Sequence, residues 1–336
     1  MKDSSNSRSI TDDKKIPMIK VESLTKVYGK VGKLYKYVYK NPVRAVNNID
    51  FTVKQGVVHG FLGPNGAGKT TTIKMLVGAI GITSGRAFIK GEPAGSVAAR
   101  RMIGYLPEYP ALYEGMNAFN YLRYMARLGG VPRAEVDDRV VDALDMVEMS
   151  DVAFRTIKGY SAGMKQRLGL AQTLVHQPEL LILDEPTANL DAIGRASIIE
   201  KIRRIVDERG LTVFVSSHIL SEIERMADNV TIINRGNIVV DKDVKSLKRE
   251  FSGNHYVLDT SKNDYVYNLL KDFEGIESLW RDEEGKIQLV APEPKALHDA
   301  LPSLLAKKKI SLREFTLVQL SLDAIFIRVV EKREGQ

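Results

Sequence analysis

From Met18 the chain alternates apolar and polar positions, with Ile19, Val21 and Leu24 set against Lys20, Glu22 and Ser23, as an edge strand would. That stretch ends at Val27-Tyr28-Gly29, and a second strand is expected at Val46–Val53. The Gln55-Gly56 turn then leads into the apolar run Val57–Leu62. Past a glycine-rich segment, Thr72–Val77 can run as a helix, and Arg86–Ile89 reads as a short strand inside the turn-rich stretch Gly78–Gly91. Over residues 108–178 the apolar spacing changes to three and four, which predicts helices over Asn117–Arg127 and Arg133–Met149. The breaker Gly129-Gly130-Val131-Pro132 separates them, and Ser161 can cap a further helix whose Leu168, Ala171, Leu174 and Val175 share a face.

The strand–helix rhythm then returns. Leu180–Leu183 is a wholly apolar run, as a strand buried on both faces requires. Residues 194–209 form an amphipathic helix, Thr212–Val215 a buried strand, Leu220–Ala227 a helix and Val230–Ile233 a strand. This order predicts an α/β fold with a parallel sheet core and an inserted helical subdomain at about 108–178. From about residue 250 the elements are smaller: strand Tyr256–Leu258, helix Val266–Phe273, and a turn at Asp282–Gly285 between two strands. A helix over Lys295–Lys307 broken at Pro302, a strand over Ser311–Leu317 and a last helix near Ser321 complete it. The expected organisation is a disordered tail at 1–16, a large α/β domain at 17–245 and a small α+β domain at 250–336.

Composition narrows the setting. With 336 residues, 44% apolar and 27% charged, the chain is an ordinary globular one with room for two domains. It has no cysteine, so disulfides and thiolate chemistry are excluded. The polar, mixed-charge start MKDSSNSRSITDDKK has no signal-peptide core, and no apolar run reaches bilayer length, so membrane association is expected to be peripheral. The net charge of +7 is compatible with an anionic partner, or simply with a solvated lysine-rich surface.

Within that frame residues 63–71 carry the chemistry. They read Gly63-Pro64-Asn65-Gly66-Ala67-Gly68-Lys69-Thr70-Thr71, the spacing G-x-x-x-x-G-K-T between a strand and a helix. Glycines let the backbone turn sharply and approach a phosphate, and the N–H groups from about Asn65 to Thr71 then converge on it at a helix N-terminus. Lys69 supplies a cation for the β- and γ-phosphates, and the Thr70 hydroxyl a hard oxygen for Mg²⁺. A nucleoside triphosphate with Mg²⁺ is the expected ligand. The strand Leu180–Leu183 runs straight into Asp184-Glu185. Ligands of open α/β sheets sit at the carboxyl ends of strands, so Asp184 is placed to hold Mg²⁺ through its water shell. Glu185 is placed to orient or deprotonate an attacking water. His218 follows the strand Thr212–Val215 by the same logic, and is expected to contact the γ-phosphate.

These pieces, in this order, resemble the nucleotide-binding subunit of an ATP-binding cassette transporter over about residues 18–240. The deciding string is Tyr160-Ser161-Ala162-Gly163-Met164-Lys165-Gln166-Arg167, similar to the family's LSGGQ signature, with Tyr160 for Leu and Ala162 for the second Gly. The resemblance implies a P-loop cassette with antiparallel N-terminal strands. Tyr28 would stack on adenine, and Asn189-Leu190-Asp191 would contact a second cassette. Ser161, Ala162 and Gly163 would face that second cassette's ATP, and the helical block would dock on a membrane subunit. In Gly104-Tyr105-Leu106-Pro107-Glu108, Glu108 stands where the family usually has glutamine. A carboxylate can ligate Mg²⁺, but it cannot donate a hydrogen bond when ionised. Ser321–Phe326 is similar to the string that ends many single-cassette exporters.

The resemblance therefore implies an ATP hydrolase that powers a transporter, with exporter type favoured, on the cytoplasmic face of the membrane. Its expected partners are a separate multi-span permease and a second cassette, with no nucleic acid. Soluble cassette proteins that act on DNA or ribosomes remain an alternative that the basic charge would suit, although they carry coiled coils or two cassettes. A metabolic kinase would share the phosphate loop but would not use the signature. Residues 30–44 hold Lys30, Lys33, Lys36, Lys40 and Arg44 between Tyr35, Tyr37 and Tyr39. They suit either a hairpin with a lysine-protected edge or a contact with an anionic membrane surface.

Overall fold

Two sheets divide the first 242 residues because two hydrophobic patterns do. Strands whose side chains alternate build a four-stranded antiparallel sheet, ordered Val43–Val53, Ile19–Tyr28, Ser84–Ile89, Glu92–Pro93. Strands that are apolar along most of their length, with the more polar Asn237–Asp243 at one edge, build a six-stranded sheet, ordered Asn237–Asp243, Asn229–Asn234, Val58–Leu62, Thr212–Ser217, Leu180–Asp184, Ile103–Leu106. The last five of these pair in parallel, and the Asn237–Asp243 strand closes a hairpin through Arg235-Gly236. The computed structural model describes residues 16–29, 42–252, 254–318 and 321–326. Residues 1–15 of the expected tail (1–16) and residues 30–41 of the basic segment (30–44) lie outside the described residues.

The parallel strands are buried along their length, as Leu180–Asp184 and Thr212–Ser217 show. The sheets share a core in which Phe51 stacks on Phe61 at 5.5 Å and on Phe214 at 5.8 Å. His59 sits among these rings, 2% exposed, with Nε2 2.7 Å from the Thr231 hydroxyl, which donates to Asp241 Oδ1 at 2.6 Å. Burial pushes the His59 imidazole down to about 4.

The inserted helices run over Ala118–Leu128, Val136–Met146 and Ala162–Leu174. Asn117 caps the first, its side chain accepting from Asn120 N at 2.8 Å, and Ser161 caps the third, accepting from Met164 N at 3.3 Å. The block is tied to the helix Ala192–Arg209 by the buried Lys201 ammonium, 2.7 Å from Glu148 Oε2.

A second unit begins at Asp243, where the hydrophobic pattern put its start near residue 250. After the helix Val244–Ser252 it runs strand–helix–strand–strand–helix–strand, and its antiparallel sheet is ordered Ser278–Arg281, Ile287–Val290, His255–Thr260, Leu312–Leu317. The helices Asn263–Leu270 and Pro294–Lys307 contribute Val266, Leu270, Leu297, Leu301 and Leu305 to a core with Tyr256, Leu258, Ile287 and Leu289. This is the β-α-β-β-α-β arrangement of ferredoxin-like domains.

Two local expectations are corrected. The strand at Ile19 is internal, hydrogen-bonded to Val43–Val53 on one side and to Ser84–Ile89 on the other. Its alternation marks a sheet with one buried face, which an internal strand satisfies as well as an edge does. Pro302 does not break its helix, which is continuous over Pro294–Lys307. Leu297, Leu301 and Leu305 anchor one face, while Pro302 and His298 are exposed, so the carbonyl that loses its partner can bond to water.

Candidate active site

The phosphate-loop sequence turns between the strand Val58–Leu62 and the helix Lys69–Leu76. Gly66 and Gly68 have φ of +79° and +112°, which side-chain-bearing residues rarely adopt. Gly63 is needed for a different reason: a Cβ there would meet the Ile233 carbonyl at 2.2 Å. No side chain caps the helix at Gly68, and its first-turn N–H groups have no intrahelical acceptor. Those donors and the helix dipole favour an anion at this end.

Lys69 is folded inward, its side chain 6% exposed. Its ammonium donates to Gly63 O at 2.7 Å and Pro64 O at 3.4 Å, and lies 3.2 Å from Glu185 Oε1. The sequence did not reveal this pairing.

Parallel pairing of neighbouring strands sets Asp184 beside Ser216. The Ser216 hydroxyl donates to Asp184 Oδ1 at 2.6 Å and accepts from Glu185 N at 3.0 Å, which fixes both acids at once. Ser216 was missed as a site residue; a serine pair closing an otherwise apolar strand was the available signal. Thr70 Oγ1 donates to Asp184 Oδ1 at 3.3 Å. Burial raises the Asp184 carboxyl above the usual range, the hydrogen bonds from Ser216 and Thr70 pull it down, and the charges of Glu185 and Glu108 push it up. Tyr105, on the next strand, is pushed up to about 12 by its own burial and by Asp184.

Glu185 has φ +50°, a strained conformation for a residue with a long side chain. Its Oε2 is 2.8 Å from His218 Nδ1 and 3.3 Å from the His218 backbone N. Lys69 and His218 thus hold the two oxygens of one carboxylate.

Pro64, Asn65, Gly66, Gly68, Lys69, Thr70 and Thr71 line one cavity of about 220 Å³ together with Glu108, Glu185 and His218. Ala45 also lines it, though nothing in its local sequence marks it; a Cβ on Gly68 would meet the Ala45 carbonyl at 2.6 Å. Gly63, Ala67 and Asp184 are buried and do not line it. The remaining predicted residues lie outside its lining. Tyr28 is 42% exposed beneath the Lys26 ammonium, 5.3 Å from the ring centre. Ser161 and Ala162 are exposed and Gly163 half-buried. Asp191 caps the helix Ala192–Arg209, accepting from Gly194 N at 2.7 Å.

The donor set fits a metal-bound nucleotide. The uncapped helix end and Lys69 suit phosphate, while Thr70 and Asp184 present adjacent hard oxygens. No group of three or more His, Asp or Glu side chains able to hold a metal alone is found among the described residues.

A parallel sheet with a glycine-rich loop and two acids at its strand ends, plus an inserted helical block, defines a P-loop nucleoside-triphosphatase cassette. The family model described as ABC transporter matches residues 46–188. That of the C-terminal domain of DrrA1-3-like ATP-binding proteins matches residues 243–330. The chain is 33% identical to the ABC transporter ATP-binding protein YxlF of Bacillus subtilis, over 93% of this chain and 99% of that one. It is 34% identical to the bacitracin transport ATP-binding protein BcrA of Bacillus licheniformis, over 93% and 97% of the two chains. Among solved structures it resembles CbiO1 of Clostridium perfringens, part of the transporter complex CbiONQ. That match has a TM-score of 0.61 and 27% identity, and covers 70% of this chain and 91% of that one. The chain belongs to the ABC transporter family, as an ATP-binding and ATP-hydrolysing subunit that powers a membrane transporter. No helix among the described residues is long and apolar enough to cross a membrane.

Proposed function

We propose that the cleft binds ATP with Mg²⁺, and that two cassettes meet head to tail, each ATP lying between one chain's phosphate loop and the other's Ser161–Gly163. The observation that carries this is the exposure of Ser161 and Ala162 at the start of the helix Ala162–Leu174, away from the cleft that holds the phosphate loop. A helix N-terminus open to solvent is a ready anion site for a partner's γ-phosphate. Asp191 is exposed as well, and suits a contact at the same seam.

In this reading Lys69 leaves Glu185 for the β- and γ-phosphates, the loop N–H groups hold the phosphate oxygens, and Tyr28 stacks on the base. Thr70, Asp184 and Glu108 hold the metal, which supplies charge neutralisation and a fixed geometry for the phosphate oxygens. Glu185, once freed, orients the attacking water and accepts its proton, while His218 steadies Glu185 and reaches the γ-phosphate. Cassette closure on ATP and opening after hydrolysis would switch a separate multi-span permease between two states. We further propose that the chain works peripherally on the cytoplasmic face, in an exporter. Relatives named for bacitracin transport and for daunorubicin/doxorubicin resistance support that direction.

Glu185→Gln tests the arrangement. It keeps shape but removes the base, so hydrolysis should fall by about 10²–10⁴-fold while ATP stays bound. Size-exclusion chromatography with ATP and Mg²⁺ should then show a dimer. A variant that binds ATP tightly and stays monomeric would refute the sandwich.

A further inference from the structure

The loop N–H groups favour an anion, but the side-chain charges around the cleft are a poor match for a bare polyphosphate. Among the described residues that line it, Lys69 is the one lysine or arginine, and it is already paired with Glu185 at 3.2 Å. Glu108 lines the same cleft, and Asp184 lies just behind Thr70, 3.3 Å from its hydroxyl. The fold forces these acids together. The strands Ile103–Leu106 and Leu180–Asp184 are neighbours in parallel, with Leu106 opposite Leu183. Both chains therefore leave the sheet at the same end, on strands about 4.8 Å apart, Glu108 from one and Asp184-Glu185 from the other. Three carboxylates against one ammonium leave an excess of two negative charges, the charge that one divalent cation cancels.

We propose that Glu108 makes nucleotide binding conditional on the metal: its charge, added to those of Asp184 and Glu185, rejects free ATP and admits ATP that brings a divalent cation. This rests on the reading of the cleft as an ATP–Mg²⁺ site. A glutamine at 108 would remove one charge and offer an amide N–H to phosphate or water, which an ionised glutamate cannot do. One such charge, a few ångströms from a triphosphate at a partly exposed site, changes affinity by on the order of tenfold to a hundredfold.

The test is equilibrium binding of a fluorescent ATP analogue to the full chain, in Mg²⁺ and in EDTA, for the parent, Glu108→Gln and Glu108→Asp. The ratio of the Kd in EDTA to the Kd in Mg²⁺ should be at least about tenfold larger in the parent than in Glu108→Gln, chiefly because the variant gains affinity in EDTA. Glu108→Asp keeps the charge and should stay with the parent. An unchanged ratio in Glu108→Gln overturns the inference alone. A collapse in Glu108→Asp equal to that in Glu108→Gln overturns charge as its cause. If the parent does not bind the analogue in Mg²⁺ either, the nucleotide site itself is refuted, and this inference with it.

Discussion

The Lys69 ammonium lies 3.2 Å from Glu185 Oε1, so the cation expected at the phosphates and the acid expected at the water are directly paired. Both side chains are less than a tenth exposed. The pair keeps two buried charges compensated.

Lys69→Ala should therefore do two things. ATP binding should weaken severely and hydrolysis should vanish, since no other lysine or arginine lines the cleft among the described residues. The protein without nucleotide should also lose about 1–3 kcal/mol, because buried Glu185 Oε1 loses the ammonium 3.2 Å away while Oε2 keeps only His218. Calorimetry on the apo protein and an ATPase assay check the two effects separately. Unchanged ATPase activity would defeat the assignment of the site.

Asp184 offers a trade between stability and function. Its carboxyl is raised by burial, so between its unfolded and folded pKa the native state holds more protons than the unfolded state. The contribution of this group to stability then falls as pH rises through that window, and at neutral pH the ionised carboxylate is a cost. Asp184→Asn keeps an oxygen for Ser216 and Thr70, so it should raise Tm at pH 7 by more than at pH 4. Metal-dependent ATP hydrolysis should be lost. A lower Tm at pH 7 would contradict this account.

His59 acts in the opposite sense. It is held neutral by burial, with its pKa lowered from 6.5 to about 4. The unfolded chain therefore takes up a proton before the native one does, and stability present above pH 6.5 drains away as pH falls towards 4. The loss should amount to about 3 kcal/mol by pH 4. Urea unfolding at a series of pH values should show this slope in the parent and a flatter one in His59→Gln.

Ending the chain after Lys242 should leave a folded, ATP-binding cassette. Every described residue that lines the cleft belongs to the first unit, and so does every residue of the core cluster that holds Phe51, Phe61 and Phe214. Loss of ATP binding in a soluble, folded truncation would show that the boundary is wrong.

The local part of the site was legible because it is local. Gly63 to Thr71 must turn between the strand Val58–Leu62 and the helix Lys69–Leu76, and both flanks carry their period in consecutive residues. The acids could be assigned to the same end because an apolar run that stops at Asp184 can only be a buried strand meeting its ligand edge. Ser216 could not be seen, because its role exists only once two strands lie in register. The stretch at Ile19 was misjudged as an edge for the same reason: alternation reports one buried face and says nothing of how many neighbours the backbone has. Pro302 was misjudged because the break it causes depends on which side of the helix is wet.

The sequence by itself determined the class of chemistry, since a glycine-rich turn with Lys69 and Thr70 is a property of backbone freedom and donor type within nine residues. It also determined the α/β alternation, which follows from hydrophobic period. The tertiary structure decided what those residues touch: Lys69 on Glu185, Glu185 on His218, Asp184 on Ser216, with Glu108 lining the same cleft as Lys69, Glu185 and His218. The physical reason is distance along the chain. Contacts between residues more than a hundred positions apart, such as Lys69 and Glu185, are set by sheet order and register, and no local pattern encodes either.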